Sequence, residues 1–226
     1  MDRRTPSAGA VAVVALGLGS LVASVGWAAE PAKDAKPPAA GAAGQPPEMK
    51  LPPGWTMEDM QAYAAAATPG KMHERLMKEV GEWHGKSTFW MAPGGGEPIR
   101  SECTYTVKSM LDGRYTQAVM AGDMPGMGPY NGFALTGFDN VSQKFVCTWI
   151  DSQSTGMMNG TGELSADGKT TTWTYNFHCP ITKKPALMRQ VETITGADRK
   201  TLEMWGPDPK SGKEFKMMRV EFTKKK

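Results

Sequence analysis

From Glu82 to Thr223 the chain alternates apolar and polar positions in short runs broken by Gly, Pro, Asp and Asn. Alternation at this spacing puts the apolar set on one face of a pleated strand, so each run predicts a strand with one face turned inward. Trp83, Gly85, Ser87, Phe89 and Met91 share a face of the first run, with Glu82, His84, Lys86, Thr88 and Trp90 opposite. In the second run Ile99, Cys103, Tyr105 and Val107 oppose Arg100, Glu102, Thr104 and Lys108. Further runs cover residues 114–121, 130–138, 144–151, 155–164, 169–179, 187–195, 200–206 and 214–223. The separators are turn formers: Pro93 to Gly96, Asp112-Gly113, Asp139-Asn140, Asp167-Gly168, and a Gly/Pro/Met loop over 122–129. About ten strands in succession, with no helical pattern between them, predict an up-and-down antiparallel barrel. The expected fold class is mainly β, with a short helical segment ahead of the barrel.

That segment shows helical spacing. Thr56-Met57-Glu58-Asp59 has the form of a capping box, with Asp in the third position. Met57, Met60, Tyr63, Ala64 and Ala67 follow on one stripe. Thr68-Pro69 predicts a second helix capped by Thr68, carrying Met72, Leu76, Met77 and Val80 and stopped by Gly81. Its apolar stripe is expected to lie against an end or flank of the barrel.

The residues upstream have a different character. Arg3 and Arg4, the uncharged run Ala8 to Val25 and the small-residue site at Gly26-Trp27-Ala28 predict a signal peptide over 1–28. Export to the periplasm or outside the cell follows, with no stable membrane anchor after cleavage. Residues 29–54 hold Pro31, Pro37, Pro38, Pro46, Pro47, Pro52 and Pro53 among Ala, Gly, Lys and Gln, and predict a disordered linker. Residues 55–226 are left as the helical lead-in and a single barrel domain. The formal charge of +3 shows no domain-wide basic excess, so nucleic acid is not an expected partner. The three cysteines, Cys103, Cys147 and Cys179, allow one disulfide at most, and each falls on a strand face beside aromatic residues. Small buried apolar side chains are the leading reading of them.

Gly81-Glu82-Trp83 resembles the Gly-x-Trp that opens the first strand of lipocalin-like barrels. A longer series is more specific: Gly81-Glu82-Trp83-His84-Gly85, Leu111-Asp112-Gly113-Arg114-Tyr115, Gly137-Phe138-Asp139-Asn140, Trp149-Ile150-Asp151-Ser152 and Lys213-Glu214-Phe215-Lys216. In that order and spacing it is similar to the secreted bacterial domain-of-unknown-function family numbered fifteen seventy-nine, over about Lys71 to Thr223. The resemblance implies a lipocalin-like barrel and no particular activity. In such barrels a late-strand Arg often packs against the first-strand Trp, and Arg219 is the residue that would do so against Trp83.

The chemistry a barrel interior offers depends on what faces in. Trp83, Phe89, Tyr105, Trp149, Trp173 and Tyr175 are the aromatic candidates for a cavity wall, with Trp83 placed to plug one end. Asp151 continues the face of Phe145 and Trp149, Glu192 that of Met188 and Ile194, and Arg219 that of Phe215 and Met217. A charge inside a barrel is costly unless paired, so Arg219 is expected to meet Asp151 or Glu192, or to receive a ligand carboxylate. The 17 methionines suit soft copper chemistry or the filling of irregular space, and the latter is the leading reading. His73, His84 and His178 show no metal-binding spacing, and no nucleophile–base pair is visible. No cofactor, metal or catalytic residue is therefore assigned. The function expected is reversible binding of a small apolar or amphipathic ligand. The alternative is a non-enzymatic structural or interaction module with a filled core, and cavity volume separates the two.

Overall fold

The structure, a computed structural model, describes residues 51–94, 96–124 and 126–226. The signal peptide and most of the linker expected from the sequence lie outside these residues. Two helices, α1 (Met57–Ala67) and α2 (Lys71–Met77), precede ten strands: β1 (Gly81–Phe89), β2 (Ile99–Met110), β3 (Tyr115–Met124), β4 (Gly128–Asp139), β5 (Lys144–Asp151), β6 (Met158–Leu164), β7 (Thr170–His178), β8 (Pro185–Gly196), β9 (Arg199–Pro207) and β10 (Glu214–Lys224). Each strand pairs antiparallel with its sequence neighbours, and β1 pairs with β10 to close the barrel. This is the up-and-down architecture that the alternation predicts, lipocalin-like in that sense.

The helices depart from expectation in one respect. The capping box of α1 forms as read, with Thr56 N donating to Asp59 Oδ2 (2.8 Å) and Asp59 N to Thr56 Oγ1 (3.2 Å). Thr68, however, caps the C-terminus of α1, its hydroxyl donating to Ala64 O (2.6 Å). The second helix begins after Gly70, whose N–H donates to Nδ1 of His73 (3.0 Å). Proline at position 69 has a fixed φ and no N–H, and serves equally well between two helices as at the start of one.

The helical segment lies over the barrel end that carries the β2–β3, β4–β5 and β6–β7 turns. Arg114 donates to Ala67 O (3.2 Å), Asn140 Nδ2 to Thr68 O (2.8 Å) and Arg75 to Gly168 O (2.8 Å). Leu76 is buried with the core. Gly81 then turns the chain into β1 at φ +136°, where a Cβ would fall 2.7 Å from the Lys224 side chain. Trp83 follows, buried at this end and donating from Nε1 to Glu79 O (2.9 Å), so the indole is tied to the segment that closes the barrel.

Two further corrections concern strands. The Gly/Pro/Met segment read as a loop is mostly ladder: β3 runs on to Met124 and β4 starts at Gly128. The second is in β10. Its register shifts between Lys216 and Met218, a β-bulge that leaves Met217 as the extra residue. An extra residue reverses which parity points inward. Val220 and Phe222, 1% and 2% exposed, therefore line the core beyond the bulge, and Arg219 points outward. Its guanidinium reaches Glu203 (3.5 Å) and Glu221 (2.9 Å) on the outer face, with a side chain 41% exposed. Neither Asp151 nor Glu192 is its partner.

Candidate functional site

The barrel interior is not filled. A cavity of about 1360 Å³ runs from the floor beside Arg75, Leu76 and Glu79 to a mouth rimmed by Met91, Met127, Met157 and Ile181. It exists because many inward positions carry little side chain. Ala118 on β3, Ala134 on β4 and Gly160 and Gly162 on β6 are buried and small. Large aromatic rings on neighbouring strands lie down across the glycines: a Cβ at Gly132 would fall 2.2 Å from the Trp149 ring, and one at Gly160 2.5 Å from Tyr175. The rings thus line the wall instead of projecting across the centre.

Of the residues proposed from sequence, Phe89, Tyr105, Trp149, Asp151, Trp173, Tyr175 and Glu192 stand on this wall. Trp83 is buried below the cavity and is no part of its lining. Arg219 is on the outside, as described above. The place expected for Arg219 against Trp83 is taken by two lysines, with Lys200 Nζ 4.9 Å and Lys224 Nζ 5.2 Å from the indole centroid.

Lys200 is the residue the sequence reading missed. It is the second residue of β9 and shares the inward face with Leu202 and Met204, so the alternation that marked the other walls applied to it as well. It is 6% exposed and forms an ion pair with Glu79, which follows α2, and a longer one with Glu192 at 4.0 Å. Its ammonium also lies over the rings of Tyr105 (5.3 Å) and Phe222 (5.6 Å). Burial alone pulls this ammonium down, but Glu79 and Glu192 more than offset it, and the net shift is upward. Glu192 accepts from Gln190 Nε2 (2.7 Å), and its carboxyl is pushed up by burial despite the attraction of Lys200. Glu79 had no periodic signal, because it lies in the turn between helix and strand. The floor is therefore a closed set of charges, with Arg75 beside it donating to Gly168 O and to Thr171 Oγ1 (3.4 Å).

Higher on the wall Asp151 sits among aromatic groups. Its Oδ2 accepts from Trp149 Nε1 (2.9 Å) and Tyr130 OH (3.3 Å), and its Oδ1 from Gln153 N (2.9 Å). The Tyr130 hydroxyl is pushed up by burial, and by the neighbouring carboxylate. The three cysteines are all free thiols. Cys103 and Cys147 line the cavity and are pushed up by burial, whereas Thr182, through its hydroxyl and N–H, holds Cys179 below its ordinary value. Among the described residues no group of His, Cys, Asp or Glu is arranged to hold a metal ion. No helix among them is long and apolar enough to cross a membrane.

A family model described as a protein of unknown function, DUF1579, matches residues 68–224, the second helix and the whole barrel. The chain belongs to this family. The matched span begins at the α1–α2 junction and ends in β10, so the family is defined by the barrel and the helix that closes it. No curated protein matches the chain. Among solved structures, the S-type phycobiliprotein lyase CPES from Guillardia theta is similar, with a TM-score of 0.48 and 8% identity, over 73% of this chain and 97% of that one.

Proposed function

We infer that the protein reversibly binds a small, partly apolar molecule inside its barrel. The cavity carries this reading. A void of about 1360 Å³ walled by aromatic rings and thioethers exceeds what a drug-sized ligand requires. Methionines at the mouth supply an adaptable, polarisable rim that can close on ligands of differing shape. A set of mutually satisfied charges at the floor leaves the apolar wall as the main source of affinity.

Titration with the fluorescent apolar probe N-phenyl-1-naphthylamine tests the reading. The probe is expected to brighten on binding with one site per chain. Ala134→Trp places an indole in the cavity and is expected to weaken binding at least about tenfold while leaving the thermal melt cooperative. Probe binding that is unchanged in Ala134→Trp would place the apolar site elsewhere. Export remains part of the proposal, supported by the signal-like residues 1–28. Sequencing the N-terminus of the native protein tests it, with a start near Ala29 expected and a retained Met1 counting against it.

A further inference from the structure

We propose that the cavity selects a lipophilic cation, an amphipathic molecule with one ammonium-like group, over a lipophilic anion. This rests on the binding reading above and names the chemical class of its ligand.

The lysine and arginine of the wall both lie at the floor, beside the carboxylates of Glu79 and Glu192. Lys200 is held between Glu79 and Glu192, and Arg75 spends its guanidinium on Gly168 O and Thr171. Arg219, the residue positioned by sequence to receive a carboxylate, is on the outer face with Glu203 and Glu221. An anion taking Lys200 would have to break its floor pairs, stranding a buried carboxylate, and one approaching Arg75 would meet the neighbouring Glu192.

Asp151 presents the opposite case. It is half-buried on the cavity wall, and all three groups that donate to it are neutral. Among the described residues it enters no ion pair. The indole and phenol that bond to it hold the carboxylate in place, and they bring ring faces to the same stretch of wall. Met158 lies directly across the ladder from Trp149 and adds a polarisable thioether. A carboxylate flanked by aromatic faces and thioethers favours a weakly hydrated cation through charge, ring quadrupole and dispersion together. The apolar tail would lie along the aromatic wall toward the floor.

Three competitors with the same tail separate charge from apolar fit: decyltrimethylammonium, decanol and decanoate, each below its micelle-forming concentration, displacing N-phenyl-1-naphthylamine from the full barrel. The ammonium is expected to displace the probe at about tenfold lower concentration than decanoate, since a partly screened charge pair at contact is worth at least one power of ten. Asp151→Asn keeps an acceptor for Trp149 and Tyr130, and is expected to abolish that preference while leaving decanol unchanged. Decanoate equal to or better than the ammonium would overturn the proposal and leave the binding reading standing. A preference retained in Asp151→Asn would overturn Asp151 as its source. Displacement by none of the three, with no binding of the probe itself, would overturn both readings.

Discussion

Lys200 shows how one residue organises the closed end of the barrel. An ammonium this deep is tolerable only because Glu79 approaches from the helix side and Glu192 from the adjacent strand. Removing it strands two carboxylates, so Lys200→Met is expected to cost about 3–5 kcal/mol in a denaturant melt. The two carboxylates are not equivalent. Glu192 titrates above its ordinary 4.5, so the folded state holds its proton more tightly than the unfolded chain does. From this group alone, stability should rise as pH falls through the folded value toward 4.5, and Glu192→Gln should flatten that part of the profile. Lys200 runs the other way. Its folded value lies above 10.5, so its contribution is complete below that pH and is lost as pH rises through the folded value. Melts across pH 4 to 11 on wild type, Glu192→Gln and Lys200→Met check both signs.

At the scale of elements, β10 decides which chemistry the barrel contains. Phe215 and Met217 stand on the cavity wall, as strict alternation from Phe215 requires. Beyond the bulge the inward residues are Met218, Val220 and Phe222. One extra residue thus removes an arginine from the interior and adds it to an outer ladder of charges. In that ladder Lys216 pairs with Glu203 (2.6 Å), and Arg189 lies 4.1 Å above the Trp205 ring. Exposed ion pairs contribute little, so Arg219→Met should change stability by less than about 1 kcal/mol. Val220→Asp puts an unpaired carboxylate into the best-buried position of the strand and should prevent folding or cost several kcal/mol. Strand β1 gives a parallel contrast. Trp83 is buried and bonded to Glu79 O, whereas Trp90 lies just past the strand end with Lys216 5.9 Å from its ring. Trp83→Ala is expected to cost about 3–5 kcal/mol, and Trp90→Ala much less. Equal losses in the two melts would contradict this arrangement.

For the whole molecule, the barrel is a container closed at one end by helices and open at the other among methionines. Its three thiols are all buried and line the cavity at different depths. Burial pushes the Cys103 and Cys147 thiols up, while Cys179, at the mouth, has its thiol held down by Thr182. Limited alkylation followed by peptide mapping should modify Cys179 first, because the thiolate is the reacting form. Occupancy of the cavity by N-phenyl-1-naphthylamine should slow Cys103 and Cys147 further and leave Cys179 less affected. Uniform protection of all three would point to a global tightening instead of an occupied interior.

The sequence alone determined the number of strands, their antiparallel order and most of their facing. These follow from alternation and turn chemistry, both of which act over a few residues. It also marked Tyr105, Trp149, Asp151 and Glu192 as inward, since each shares its strand face with apolar residues. Tertiary structure decided three things. The bulge in β10 depends on how that strand matches β9 around a closed ring, and no local pattern announces it, so Arg219 was placed on the wrong side. The Lys200–Glu79 pair joins residues 121 positions apart and forms only when the helix end caps the barrel. Whether the interior is packed or hollow is set by strand number and by aromatic rings lying flat across inward glycines of neighbouring strands. A strand's own residues do not carry that information, because the space they enclose belongs to all ten strands together.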